Sequence, residues 1–291
     1  MPPVNVKSKD KNKKIMKQNN SSIKDNLSVL RNKIDLIDKQ MHKLIITRSV
    51  YVKNIAREKA KYSKDNPIIY RPVREHAVLM SLLKRHRGDF PKQVLVRLWR
   101  TMIGAYISMQ GDLKVSYVAS LENLVKDYFG VTMKYKKTKN IKKSIYILSN
   151  NVNHILVLPL PNTNNSWWKN LLNVKNVNII GQLYDNTYKE PRGLILGSQE
   201  IEYFIKSKVI YIIVIKKSYE ISFIKYLSIN SYSIFGKANI KSNEIAFLLE
   251  KEVASHREVI KQLNKIRNSI NTNLINAKII GAVPKISKER N

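Results

Sequence analysis

The sequence has 291 residues, enough for two or three small domains, and its 43% content of apolar residues is normal for a packed protein. It contains no cysteine, which excludes disulfides, thiolate catalysis and cysteine-bound zinc. The formal net charge of +32 is compatible with nucleic-acid binding. Lysine is spread over the whole chain, however, and no nucleic-acid motif is present, so the charge indicates non-specific attraction only.

The N-terminal segment is strongly basic. Residues 1–22 hold six lysines against one aspartate, and they contain no apolar stretch typical of a secretory signal. We predict a disordered basic arm over residues 1–22 and a short tail over 287–291. No apolar run approaches about 20 residues, so we expect no membrane span and a cytoplasmic location.

Three helices are predicted to follow the arm. The first extends from about 26 to 61, which at 1.5 Å per residue is about 50 Å. That length favours a bundle or an intertwined dimer over a compact monomer. The second helix covers about 73–86 and is followed by Gly88, and the third covers about 92–110 and stops at Gly111.

The pattern changes after residue 111. Short β-rich runs alternate with helical stretches over 112–207, which is typical of an α/β domain. The order strand, helix, strand, strand, helix, strand over 208–286 predicts a ferredoxin-like βαββαβ unit. The predicted fold class is therefore α+β and multidomain, with an all-α three-helix domain over 23–111 in front of these two regions.

Polar side chains interrupt the apolar faces of all three helices. At about 100° per residue, the stripe that begins at Leu30 carries Arg48 and Lys59, while Glu75 and Gln110 lie on the apolar faces of the second and third helices. One interpretation is a buried ion pair of Glu75 with Arg48 or Lys59. The cations outnumber the carboxylate, however, which favours a carboxylate-bearing ligand. Such a site suits a reaction that needs a held conformation and charge stabilisation.

These segments resemble the three-helix class of chorismate mutase over about residues 26–111. The resemblance rests on "LRNKIDLIDKQMHKLIITRSVYVKNIAREKAK", "RPVREHAVLMSLLKRHRG" and "LVRLWRTMIGAYISMQG". They contain the family pattern L-R-x-x-I-D-x-I-D, an arginine about 17 residues later, a lysine 11 residues after that, an R-E pair and a closing glutamine.

The resemblance implies isomerisation of chorismate to prephenate by a pericyclic rearrangement, without cofactor, metal or covalent intermediate. Arg48, Lys59 and Gln110 would be the catalytic residues. Arg48 would hold one substrate carboxylate, and Lys59 and Gln110 would contact the ether oxygen whose bond breaks. A cation there stabilises the negative charge that develops on this oxygen.

The resemblance also implies a homodimer and further substrate-binding residues. Arg31 would reach a substrate carboxylate in the partner subunit's site, Arg74 would support the carboxylate end, and Glu75 would accept the ring hydroxyl. Two positions depart from the family pattern, since Arg71 replaces a frequent aspartate and Tyr106 replaces a frequent serine.

The C-terminal part resembles a truncated, degenerate prephenate dehydratase followed by an ACT regulatory unit. "VSYVASLENLVKDYFG", "VLPLPNTNNSWW" and "EPRGLIL" stand where that family has its loop glycines, acid and threonine, and they lack them. We therefore expect no dehydratase activity. We interpret "SWW" as a helix start with two core tryptophans. The ACT-like end implies phenylalanine or tyrosine as an effector.

Two alternatives remain open at this stage. The chain could be a regulatory protein that binds an aromatic amino acid and whose mutase site is impaired. It could also be a basic protein associated with nucleic acid.

Overall fold

The computed structural model describes residues 7–62, 67–162, 165–185, 190–204 and 207–285, with side chains from residue 26 onward. In these ranges no helix is both long enough and apolar enough to cross a membrane. The chain divides into two compact units, Met1–Ile55 and Ala56–Asn291.

Helix α1 spans Lys7–Tyr62, and its residues up to Ile55 are the described part of the first unit. Helix α1 begins at Lys7, within the segment that the sequence predicts as a disordered arm over residues 1–22. The physical reason lies in the composition, because lysine and glutamine form helices readily and neither glycine nor proline occurs between Lys7 and Tyr62. The predicted tail at 287–291 lies outside the described residues.

The apolar stripe of α1 faces outward in the first unit. Its members from Leu30 to Ile45 are 40–57% exposed: Leu30, Ile34, Ile37, Met41 and Ile45. Arg48 on the same stripe is exposed as well. The expectation that Arg48 is buried is therefore wrong for a single chain, because one helix cannot cover its own apolar face.

Helices α2 and α3 span Pro72–Arg85 and Lys92–Ser108, close to the predicted bounds. Pro72 occupies the first turn of α2, where its missing N–H costs no helical hydrogen bond. The next helix, α4 at Glu122–Phe129, approaches α3 closely. A Cβ at Gly104 would stand 2.3 Å from the carbonyl oxygen of Phe129, so only glycine fits there.

The region after α3 forms one half of a mixed sheet. Strands β1 and β3 are parallel, β2 adds to the outer edge of β1, and β5 pairs antiparallel with both β3 and β4. Helix α5 and a 3₁₀ segment at Trp167–Leu172 accompany the sheet. The bounds are β1 Lys114–Tyr117, β2 Lys134–Lys137, α5 Ile141–Leu148, β3 His154–Pro159, β4 Asn178–Tyr184 and β5 Pro191–Gly197.

Both tryptophans of "SWW" are buried, at 5% and 0% exposure, which confirms that they belong to the core.

The second half of the sheet is the predicted βαββαβ unit. Its four strands are antiparallel in the order β9-β6-β8-β7, and both helices are present as predicted. The bounds are β6 Ser207–Lys216, α6 Glu220–Ile229, β7 Ser233–Lys241, β8 Glu244–Val253, α7 His256–Ile270 and β9 Leu274–Pro284.

Strands β4 and β9 join the two halves into one nine-stranded sheet. At the junction, a Cβ on Gly281 would meet the carbonyl oxygen of Ile179 at 2.4 Å.

The core shows that α2 and α3 do not form a separate body. Leu79 of α2 and Val96 of α3 lie in one apolar cluster with Val115 of β1 and Ile155 of β3. The predicted boundary near residue 111 therefore does not separate compact units, because the same sheet covers both helices.

Candidate active site

The structure brings together two of the predicted catalytic residues, Lys59 and Gln110. The Lys59 ammonium donates a hydrogen bond to Oε1 of Gln110 at 3.1 Å and another to the carbonyl oxygen of Ile68 at 3.1 Å. The amide Nε2 of Gln110 donates to the carbonyl oxygen of Tyr106 at 3.2 Å, which orients Oε1 towards the lysine. Helical spacing placed each of these residues on an apolar face, and in the structure the two lie in contact across 51 residues of sequence.

The electrostatic surroundings of Lys59 are those of a partly desolvated cation. Burial lowers the pKa of Lys59 below its usual 10.5, and the positive charge of Arg71 lowers it further. An ammonium group has three N–H donors, and two of them bind neutral oxygens. Among the contacts of the described residues, the third donor remains available for an oxygen of a ligand.

Arg71, one of the two departures from the family pattern, has a partner in the α/β region. Its Nε and Nη2 donate to Oε1 of Glu202 at 3.1 and 2.8 Å. Both side chains are about half exposed, so this pair contributes little to stability. The pair instead holds the guanidinium of Arg71 in place, close enough to Lys59 to lower the pKa of that lysine.

Tyr106, the other departure, is 6% exposed. It contacts the candidate site through its backbone carbonyl, which binds Gln110. Replacement of the family's frequent serine therefore leaves the orientation of Gln110 intact.

Glu75 forms a buried ion pair, but with a residue that the sequence reasoning missed. Nη1 of Arg100 lies 3.6 Å from Oε1 of Glu75, and the two side chains are 3% and 8% exposed. One interpretation of the sequence was an ion pair of Glu75 with Arg48 or Lys59, whereas the structure gives Arg100 as its partner. The guanidinium of Arg100 also lies 3.6 Å from the centroid of the Tyr128 ring on α4. Arg100 comes four residues after Val96 on the apolar face of α3, which was the signal available in the sequence.

The surroundings of Glu75 make its charged form less favourable than it is in water. Burial raises the pKa of Glu75 above its usual 4.5, although the charge of Arg100 and a hydrogen bond with Tyr128 act in the opposite direction. The structure thus places this carboxyl group between α2, α3 and α4. Its assignment to a substrate hydroxyl remains a prediction.

The three other predicted substrate-binding residues have exposed side chains. Arg31 and Arg48 lie on α1 in the first unit, and Arg74 lies in the first turn of α2. Their roles likewise remain predictions.

Comparison with known proteins supports the family resemblance in the helical part. Residues 30–111 match the family model described as "Chorismate mutase type II". That segment contains every predicted site residue.

Curated relatives with the description "Bifunctional chorismate mutase/prephenate dehydratase" match part of this chain. The protein from Pseudomonas aeruginosa is 30% identical over 96 residues, which cover 32% of this chain and 26% of that protein. The protein from Aquifex aeolicus is 27% identical over 147 residues, which cover 48% of this chain and 40% of that protein. The matched segments therefore span less than half the length of each of these relatives.

Solved structures of prephenate dehydratases are more distantly similar. The enzyme from Streptococcus mutans aligns with 60% of this chain and 100% of its own at 13% identity and a TM-score of 0.42. The enzyme from Staphylococcus aureus aligns with 59% of this chain and 100% of its own at 9% identity and a TM-score of 0.43. On the family match and the curated relatives, residues 30–111 of this chain are similar to the chorismate mutases of type II.

Proposed function

We propose that this protein is a chorismate mutase, which isomerises chorismate to prephenate in the biosynthesis of aromatic amino acids. The observation that carries the proposal is the contact of Lys59 with Gln110 inside the segment that matches the family. A partly buried ammonium held by two neutral oxygens is a preorganised donor for an oxygen that gains negative charge. The cytoplasmic location expected from the sequence is part of this proposal.

The mechanism uses hydrogen bonds and charge alone. Lys59 donates to the ether oxygen of chorismate and stabilises the charge that develops as the carbon–oxygen bond breaks. Gln110 donates to the same oxygen, which requires its Nε2 to leave the carbonyl of Tyr106. Arg48 and Arg74 hold the substrate carboxylates and so favour the compact, reactive conformation.

The proposal includes a homodimer built on α1. The exposed stripe from Leu30 to Ile45 is a continuous apolar face with helical periodicity, which water would not favour in an isolated chain. A second copy of the same helix offers a complementary face. In such a dimer Arg31 contributes to the site of the partner subunit, so that each site needs both chains.

The βαββαβ unit supports a regulatory role as part of the same proposal. Its strand order β9-β6-β8-β7 is the ferredoxin-like arrangement expected of an ACT-like unit. We propose phenylalanine or tyrosine as its effector. A thermal unfolding assay with each amino acid tests this, and the absence of any shift in midpoint at millimolar concentration would contradict it.

We propose no dehydratase activity for the α/β region, although the curated relatives have bifunctional names. Pro191 stands where the dehydratase motif has threonine, and it begins strand β5 without a hydroxyl group. Incubation with prephenate at mildly alkaline pH, where spontaneous dehydration is slow, tests this. Enzyme-dependent formation of phenylpyruvate would overturn the expectation.

The deciding experiment follows the loss of chorismate absorbance with the purified full-length protein. We expect activity in the wild type and a loss of about 10²- to 10³-fold in kcat for Lys59→Ala, because one transition-state donor is removed. Lys61→Ala is the matched control, since Lys61 lies in the same turn of α1 and forms an exposed ion pair with Glu58. An inactive wild type, or equal rates for wild type and Lys59→Ala, would refute the proposal.

A further inference from the structure

The segment that leads from α1 into α2 carries one of the contacts of Lys59. Residues 67–71 have no helical or strand structure, yet Ile69 and Tyr70 are 4% and 0% exposed. We call residues 67–71 the linker. The carbonyl of Ile68 in its middle accepts the hydrogen bond from the Lys59 ammonium. The position of the catalytic cation therefore depends on what holds the linker.

Asn153 of the α/β region holds the linker on both sides of Ile68. Its Nδ2 donates to the carbonyl oxygen of Pro67 at 3.1 Å, and its Oδ1 accepts from the backbone N–H of Ile69 at 3.3 Å. The side-chain amide thus satisfies one acceptor and one donor of the linker, as a neighbouring backbone strand would do. Both groups are partly buried, where a lost hydrogen bond is more costly than at the surface.

Asn153 is itself fixed to the sheet. Its backbone carbonyl accepts from the N–H of Lys114, which begins β1, and the next residue, His154, begins β3. The position of the linker is therefore set by the adjacent parallel strands β1 and β3.

Two further residues of the same region hold the C-terminal end of the linker. Nε2 of Gln199 donates to the carbonyl of Tyr70 at 2.9 Å in a buried position, and Glu202 binds Arg71. The three side chains contact consecutive parts of a short segment, from Pro67 to Arg71. The linker is thus held along its whole length by residues that lie outside the segment matched by the family.

We propose that Asn153 is a positioning residue for the mutase reaction: by binding Pro67 and Ile69 it places the Ile68 carbonyl, and through it the ammonium of Lys59. This inference rests on the proposed function. It also gives the α/β region a catalytic contribution of its own, because the cation would be misplaced without the sheet that carries Asn153. A misplacement of about 1 Å is enough to lower a rate by about 10²-fold.

The kinetic test uses Asn153→Ala and Asn153→Asp in the full-length protein. The aspartate retains the acceptor for Ile69 but loses the donor for Pro67. We expect kcat to fall by about 10- to 100-fold in the alanine variant and less in the aspartate variant, with KM changed by less than about twofold. The matched control is Asn150→Ala, because Asn150 is exposed in the same loop and bonds Ser149.

A double-mutant cycle separates positioning from general damage to the fold. If Asn153 acts through Lys59, the substitution Asn153→Ala has little further effect on the rate in the Lys59→Ala background. Independent, multiplying effects of the two substitutions would overturn the proposal, and so would an unchanged kcat in Asn153→Ala.

A second measurement is independent of activity. The pKa of Lys59, followed by NMR of lysine labelled with ¹³C at Cε, should rise towards 10.5 in Asn153→Ala, because burial is the main cause of its depression. An unchanged pKa would overturn the inference even in a protein without mutase activity. If the wild type is inactive but the pKa of Lys59 still rises in Asn153→Ala, the proposed function is refuted. The positioning of Lys59 by Asn153 would then still hold.

Discussion

The guanidinium of Arg100 and the carboxyl group of Glu75 face each other at 3.6 Å in the interior of the second unit. Each group comes from a different helix, and the ring of Tyr128 on a third helix lies against the guanidinium. Removal of one partner from a buried ion pair leaves the other charge without compensation.

We expect Arg100→Met to lower the free energy of unfolding by about 3–5 kcal/mol. Urea denaturation followed by circular dichroism measures this. The control is Arg97→Met on the same helix, whose exposed arginine pairs with Asp127 at 2.6 Å. That variant should lose no more than about 1 kcal/mol. Equal losses of unfolding free energy in the two variants would show that the buried pair stabilises the fold no more than the exposed pair does.

Acid should destabilise the protein through His154. Burial lowers the pKa of His154 from 6.5 to about 4, with contributions from Lys114 and Lys136. The unfolded chain therefore binds more protons than the folded one between these values, and stability falls as the pH falls from 6.5 to about 4. His76 has a pKa lowered to about 4 as well and acts in the same direction.

The measurement is the thermal midpoint as a function of pH for wild type and His154→Gln. The amide of glutamine retains the capacity to bind the hydroxyl of Ser116, which lies 2.8 Å from Nε2 of His154. We expect a smaller fall of the midpoint in the variant between pH 6.5 and 4. His42→Gln, at an exposed position on α1, is the control. Parallel curves for wild type and His154→Gln would contradict the assignment.

Mixing of inactive variants tests whether a site combines two chains. In the proposed dimer, a site contains Arg48 of one subunit and Arg31 of the other. Arg31→Ala and Arg48→Ala homodimers should both be inactive. A heterodimer, made by co-expression with different tags, contains one intact site and should recover about half of the wild-type rate per dimer. Absence of recovery in a verified heterodimer would place both arginines in the site of the same chain.

The close approach of α3 to α4 makes Gly104 sensitive to a single methyl group. A Cβ there would meet the carbonyl oxygen of Phe129, which belongs to a helix end and cannot rotate away. We expect Gly104→Ala to destabilise the protein by about 1–3 kcal/mol, in spite of the higher helix propensity of alanine. Thr101→Ala on the exposed side of α3 is the control. A stabilised Gly104→Ala variant would show that the helices can separate without cost.

Much of the fold could be predicted because its signals are local. The βαββαβ unit follows from periodicity and turn residues, and Lys59 and Gln110 were found because each interrupts an apolar helical face. Strand β2 was missed because "KYKK" carries no apolar alternation. The contact of Asn153 with the linker was missed for a different reason. Asn153 lies 84 positions after Ile69 and 86 positions after Pro67 in the sequence, and no local sequence pattern predicts a contact over such a separation.

The apolar cluster shared by α2, α3 and the sheet limits how far the chain can be shortened from its C-terminal end. Truncation after residue 111 would expose Leu79, Val96 and Ile107, which are at most 7% exposed in this chain. We expect a fragment ending there to aggregate or to be degraded. If the protein is the proposed chorismate mutase, selection for that activity would also preserve the C-terminal region as a scaffold.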